Sequence, residues 1–220
     1  MKIAVISDIH SNIEALEAVL REIDRLKIKH IFCCGDVVGF NASPHEVIAL
    51  LQERKIPCVQ GNQDLVAATL HRLKWFNPDA RAAILWTHKQ LSKEEKKWLL
   101  KLPLKFHNKE ITMWHGSEKD LFEGLYPDYL SQVKMPKTRM LFTGHIHAPF
   151  AREINGVLVV NPGSVGQPHD KDARASFAIV DTGTYTVSIK RVSYDIDATA
   201  EKINKAGLPT SLAKRLYKGV

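Results

Sequence analysis

Cysteine is scarce in this sequence and long hydrophobic runs are absent, and each shortage excludes a class of protein. Three cysteines in 220 residues, Cys33, Cys34 and Cys58, are too few and too oddly placed for a disulfide framework. Cys33 and Cys34 sit in an apolar stretch and read as buried thiols, since neighbours on a strand point to opposite faces and make a poor metal clamp. No apolar run reaches the ~18 residues that suggest a membrane span. The first ten residues carry one lysine and a short apolar run, without a signal peptide's long core and small-residue cleavage site, so a cytoplasmic protein is expected. Internal repeats and low-complexity segments are missing too. Acidic residues number 24 against 31 basic ones, a net charge of +7. The excess, partly between Lys89 and Lys109 and partly in Lys202, Lys205, Lys214, Arg215 and Lys218, reads as a solvated lysine-rich surface. Attraction of an anionic substrate or nucleic acid is the second reading of that charge.

What is present suits one domain over residues 1–220, with 45% hydrophobic content to fill a core. Lys2 to Ser7 reads as a strand. Asn12 caps a helix whose apolar residues Ile13, Leu16, Val19, Leu20, Ile23 and Leu26 recur at helical spacing. A second strand is expected over His30 to Cys34, a helix from Ser43-Pro44 to about Arg54, and a third strand over Ile56 to Gln60. Right-handed crossovers would make these strands parallel and bring their C-terminal loops to one sheet edge, where open α/β sheets bind ligands. Residues 64–102 are expected to be helical, with Asn77-Pro78 and the capping box Ser92 to Glu95 as starts. Trp75, Phe76, Trp86 and Trp98 there read mostly as packing residues. Short strands follow near Leu104–His107, Glu110–Trp114, Arg139–Thr143, Ala151–Ile154, Val157–Val160, Ser176–Asp181 and Thr186–Tyr194, with Asn155-Gly156 as a hairpin turn. A helical tail is expected over 198–217, interrupted near Gly207-Leu208-Pro209.

Polar clusters stand at the expected strand ends: Asp8-x-His10, Gly35-Asp36-x-x-Gly39, Gly61-Asn62-x-Asp64, His115-Gly116 and Gly144-His145-x-His147. In extended chain, residues i and i+2 share a face, so Asp8 with His10, and His145 with His147, are expected to grip shared sites. Carboxylate, amide and imidazole donors without thiolate suit Mn²⁺, Fe²⁺, Zn²⁺ or Ni²⁺ in a catalytic role. Asp8, His10, Asp36, Asn62, His115, His145 and His147 make seven ligands, too many for one catalytic ion and suited to two that share a carboxylate. His30, His45, His71, His88 and His107 have no motif around them and read as packed or surface residues.

The ordered motifs resemble the calcineurin-like metallophosphoesterase superfamily. Ser7-Asp8-Ile9-His10-Ser11-Asn12, Asn161-Pro162-Gly163-Ser164-Val165-Gly166-Gln167-Pro168 and Ala206-Gly207-Leu208-Pro209 resemble its small prokaryotic branch of YfcE-type and diadenosine tetraphosphatase-like phosphodiesterases. The resemblance implies an α/β fold, a four-layer αββα sandwich of two mixed β-sheets flanked by helices. It implies one metal held by Asp8, His10, Asp36 and His147, and a second by Asp36, Asn62, His115 and His145, Mn²⁺ foremost. A hydroxide between the ions would attack phosphorus in line. Asp36, Asn62, Asp64 and His115 are then the catalytic candidates, Asp64 by orienting the loop or a ligand histidine. Asn12, Gln63, Asn161, Ser164 and His169 are candidates for substrate contact.

Three positions depart from the family pattern. Gln63 stands where the superfamily usually has a histidine that protonates the leaving group; glutamine has no proton to titrate, which favours good leaving groups. His169 replaces a common arginine, and Phe40-Asn41-Ala42-Ser43 differs from the usual loop. The expected activity is hydrolysis of a small phosphodiester or nucleotide-like phosphoester. A phosphomonoesterase or protein phosphatase, and a non-catalytic scaffold of the same fold, are the alternatives; nucleic acid is the less favoured partner.

Overall fold

Alternation along the strands decides the layering, because successive side chains face opposite sides of a sheet. The computed structural model describes residues 1–220. In β1 (Lys2–Ile6), Ile3 and Val5 enter one core while Ala4 and Ile6 enter another. α1 (Ile13–Arg25) starts where the Asn12 side chain accepts from the Ala15 amide, and it buries Leu16, Val19, Leu20 and Ile23. β2 (Ile31–Cys33) pairs in parallel with β1, and α2 (Pro44–Glu53) follows with Pro44 in its first turn. α3 (Asn62–Thr69), α4 (Pro78–Gln90) and α5 (Lys93–Lys101) form a helical section; the Ser92–Glu95 capping box is present at the start of α5. β3 (Lys105–His107), β4 (Ile111–Trp114), β5 (Met140–Phe142), β6 (Phe150–Ile154) and β7 (Val157–Asn161) come next, with Asn155 and Gly156 both at positive φ in the hairpin turn. β8 (Ala175–Asp181) and β9 (Thr186–Val192) lead into α6 (Ile196–Lys205) and α7 (Thr210–Leu216), separated near Gly207.

Two mixed sheets result, in the orders β2-β1-β8-β9 and β3-β4-β5-β7-β6. Ile3, Val5, Ala178 and Val180 of the first pack against Ile111, Met113, Met140, Phe142 and Val160 of the second, which puts the sheets face to face. The other face of the first sheet, with Ala4, Ile6, Phe177 and Ile179, buries α1 and α2. The outer face of the second sheet, with Trp114, Leu141 and Val159, is covered by Leu125 and Leu130, the latter in the 3₁₀ segment Pro127–Gln132. The αββα sandwich thus has a fourth layer made of a 3₁₀ turn and loop.

The third strand expected over Ile56 to Gln60 reduces to a single parallel bridge, Cys33 to Cys58. Its ladder consists of the Cys33 amide donating to Pro57 O at 2.9 Å and the Val59 amide donating to Cys33 O at 3.0 Å. Pro57 has no N–H to extend it, and the Gln60 amide turns away to Pro103 O. Trp75, expected in the packing, is 56% exposed, with the Arg72 guanidinium 4.3 Å above its ring. No helix is long and apolar enough to cross a membrane.

Phe142 is wholly buried between the sheets. Phe142→Ala is expected to lower the free energy of urea unfolding by about 3–5 kcal/mol; a loss below about 1 kcal/mol would contradict this packing.

Candidate metal centre

Parallel neighbours send their C-terminal loops to the same edge, so β1, β2, β4, β5 and β7 all empty their polar turns at one end of the sandwich. The backbone there is held in conformations that side chains rarely adopt. Asp8, His10, Asp36, His145 and His147 all have φ between 51° and 72°. Cross-loop hydrogen bonds keep them so: the Asp8 amide donates to Gly35 O at 2.9 Å, the His10 amide to Asp36 O at 3.0 Å, and the Gly144 amide to His115 O at 2.8 Å. Gly61 and Gly144 permit the approach. A Cβ on Gly61 would meet Asp36 Oδ1 at 2.0 Å, and one on Gly144 would meet Ser7 Oγ at 2.1 Å and Asp8 Oδ2 at 2.9 Å.

Two groups of donor atoms converge. In the first, His147 Nε2 lies 2.9 Å from His10 Nε2 and 3.3 Å from Asp8 Oδ1, and His10 Nε2 is 3.7 Å from that oxygen. In the second, Asn62 Oδ1 is 2.8 Å from His115 Nε2 and 3.0 Å from His145 Nδ1. Asp36 Oδ2 stands between them, 3.4 Å from His115 Nε2 and 3.9 Å from His10 Nε2. The carboxylates of Asp8 and Asp36 also lie within mutual reach of His115, so Asp8 borders both groups. His145 and His147 therefore turn to different groups, contrary to the expectation from strand alternation. Their left-handed backbone is not extended, and the two-residue face rule fails there.

The ring nitrogens are aimed by the main chain. Nδ1–H of His10 donates to Val38 O at 3.2 Å, that of His115 to Cys34 O at 2.8 Å, and that of His147 to Gln167 O at 2.7 Å. Each bond orients the ring so that Nε2 faces the centre. His10 and His147 thus bring their Nε2 atoms to 2.9 Å from each other, a separation that a proton or a cation between them accommodates. Burial, reinforced by the charge of His147, pushes His10 down to about 4. Burial also pushes His115 down, but the Asp36 carboxylate outweighs it and brings the ring up to about 10. Burial raises Asp8, and the surrounding imidazoles, His147 foremost, more than offset it and hold the carboxyl below its usual range. Buried carboxylate, amide and imidazole groups that converge on one space fit a divalent cation.

The sequence matches the calcineurin-like phosphoesterase superfamily domain over residues 1–185. The chain belongs to that superfamily. Protein MJ0912 of Methanocaldococcus jannaschii is 40% identical over 99% of this chain and 98% of its own. The crystal structure of a metallophosphoesterase from Sphaerobacter thermophilus is 34% identical and superposes with a TM-score of 0.88 over 100% of both chains. YfcE, a phosphoesterase from E. coli, is 19% identical with a TM-score of 0.52 over 88% of this chain and 100% of that one, a likeness of fold. As a superfamily member the chain is a metal-dependent phosphoesterase that uses divalent ions.

Other candidate residues of this phosphoesterase are committed elsewhere. Asp64 Oδ1 accepts from the amides of Val37 and Val38 at 2.8 and 3.1 Å, and Oδ2 from Gly61 at 2.9 Å, so it braces two loops against each other. Burial and the nearby Asp36 charge push its carboxyl up to about 7 against those amide bonds. Asn12, expected as a substrate contact, is fully buried; its Oδ1 caps α1 and its Nδ2 donates to Gly166 O at 3.1 Å. Asn161 and Ser164, also candidates for substrate contact, are engaged in the same way. Asn161 Nδ2 donates to Gly144 O at 2.7 Å and its Oδ1 accepts from Gly163, while Ser164 Oγ donates to Asp8 O at 2.7 Å and accepts from the Gln167 amide. All three hold loops together. Gln63 is buried beside Gly39, and its backbone N–H donates to Asp36 Oδ1 at 2.8 Å. The His169 ring lies tilted against that of His147, with ring centres 4.4 Å apart. Three residues near the centre went unnoticed as site residues in the sequence: Phe40, whose ring edge meets His10 at 4.8 Å, Asn41, which donates to His10 O at 2.7 Å, and Arg215. The Phe-Asn departure after Gly39 was the one available signal for the first two.

Asp64→Ala would strand three buried amides. It is expected to cost about 3 kcal/mol or more of unfolding free energy in urea, and a cost under about 1 kcal/mol would deny the bracing role.

Proposed function

We propose that this phosphoesterase hydrolyses a small phosphodiester or nucleotide-like phosphoester with two divalent ions, Mn²⁺ foremost. The carrying observation is the convergence of His10 and His147 Nε2, aimed by backbone carbonyls and flanked by the Asp8 and Asp36 carboxylates. Asp8, His10, Asp36 and His147 would hold one ion, and Asp36, Asn62, His115 and His145 the other, with Asp36 shared. Bound ions supply positive charge to the phosphoryl oxygens and lower the pKa of water.

The chain's own residues set the preference among esters. Gln63 carries no titratable proton, so nothing at that position protonates a poor leaving group. His169 does not replace it: its Nε2 accepts from Arg215 Nη2 at 3.1 Å, and partial burial with the charges of His147 and Arg215 pushes the ring down, towards the neutral form. Without general-acid help, diesters and anhydrides with good leaving groups are favoured over alkyl monoesters.

The test compares Mn²⁺-, Ni²⁺- and Zn²⁺-loaded protein on bis-p-nitrophenyl phosphate, p-nitrophenyl phosphate and dinucleoside polyphosphates. Diester or anhydride turnover is expected to exceed monoester turnover, Asp36→Asn to lower kcat at least ~10²-fold, and Gln63→His to raise the monoester rate. Full turnover by Asp36→Asn would sink the metal assignment. A monoester preference in the parent protein would sink the substrate reading.

A further inference from the structure

Six of the seven candidate ligands are buried, and His145 alone is half-buried. The metal centre therefore opens to solvent on the His145 side, and the side chains there meet a substrate first. Ile146, next in the chain, is half-buried as well. Opposite them stands the loop that follows His115, with the Tyr126 ring 54% exposed. A Cβ on Gly124 would lie 3.0 Å from Tyr126 Cε2, 3.2 Å from His145 Cδ2 and 2.8 Å from Ile146 Cγ2, so these three side chains surround one point. Glycine at 124 is what lets Tyr126 come up beside a candidate metal ligand.

The position is built. The Ser117 amide donates to Asp120 O at 3.0 Å, the Ser117 hydroxyl accepts from the Asp120 amide at 3.1 Å, and the Phe122 amide donates to Asp120 Oδ1 at 3.0 Å, which folds the loop back on itself directly after His115. Leu125 and Leu130, on either side of Tyr126, are buried in one cluster with Trp114 and Leu141. The Tyr129 amide donates to Tyr126 O at 3.0 Å. Tyr126 thus projects an open ring from main chain that is held on both sides.

The opening decides which part of a substrate meets that ring. A phosphoryl group at the centre is charged and sits among the buried ligands, so its organic substituent extends outward past His145. Phe40, the carbon ring against His10, is buried and has no surface to offer it. Tyr126 and Ile146 offer an aromatic ring and an aliphatic side chain at the opening, a combination that suits a flat apolar group. We propose that Tyr126 is a specificity-determining residue on which the organic group of the ester packs, so that esters bearing a planar ring are preferred over those bearing a small alkyl group. This rests on the phosphoesterase reading above and adds the residue that selects the non-phosphoryl part of the substrate.

The test measures binding and does not need turnover. Isothermal titration of the Mn²⁺-loaded protein, at constant free Mn²⁺, compares phenylphosphonate with methylphosphonate, two non-hydrolysable ligands with one organic group each. Phenylphosphonate is expected to bind at least ~5-fold more tightly, the scale of one aromatic pair. Tyr126→Ala is expected to bring the two affinities within ~2-fold of each other by weakening phenylphosphonate alone, with melting temperature near that of the parent. Tyr126→Phe, which keeps the ring, should preserve the preference. No preference in the parent, a preference that survives Tyr126→Ala, its loss in Tyr126→Phe, or equal weakening of both ligands would each overturn the proposal. Absence of any ester turnover by the parent protein would fail the hydrolase reading separately.

Discussion

Three backbone carbonyls, those of Val38, Cys34 and Gln167, determine what this site is able to bind. Each accepts a hydrogen bond from the Nδ1–H of a histidine and so turns Nε2 inward. Together with the Asp8 and Asp36 carboxylates they concentrate acceptors in a buried space, where acceptors that face one another repel and burial penalises charge. A divalent cation relieves that conflict. The rest of the local structure exists to impose it: left-handed backbone at five of the candidate ligands, glycines where a Cβ would collide, and a buried Asp64 that fastens the Asp36 loop to the Asn62 turn.

The sandwich makes the convergence affordable. Asp8, His10 and Asp36 come from the first sheet, while His115, His145 and His147 come from the second. The inter-sheet core of Ile3, Val5, Met113 and Phe142 fixes the spacing of the sheets, and thereby the distance between the two sets of loops. Asn161, the last residue of β7, binds the backbone oxygen of Gly144, and Ser164, in the turn after it, binds that of Asp8 and so joins the two sets near the centre. Strain at the individual residues is over-determined by these bonds, which lets it persist.

Much of this was legible in the sequence, and the exceptions have physical causes. Hydrophobic alternation located β4, β5, β7 and β8, and helical spacing with the Asn12 cap located α1. The ordered motifs identified the superfamily. Strand alternation misled at His145 and His147, because a two-residue face rule assumes extended backbone and these residues are left-handed. The run Ile56 to Gln60 has strand composition, yet Pro57 limits it to one bridge. The backbone hydrogen bonds of Asn12, Asn161 and Ser164 were not legible, because a polar residue in a turn has the same appearance whether it serves a ligand or a carbonyl. Arg215 was legible only as part of a basic tail; its meeting with His169 depends on the docking of α7, which no local pattern encodes.

The most direct measurement is anomalous diffraction at the manganese edge from crystals of Mn²⁺-replete protein. The account predicts two peaks, one among Asp8, His10, Asp36 and His147 and one among Asp36, Asn62, His115 and His145, with the three Nδ1-to-carbonyl bonds retained. A map without density there, or His10 and His147 turned away from each other with no ion between them, would contradict it.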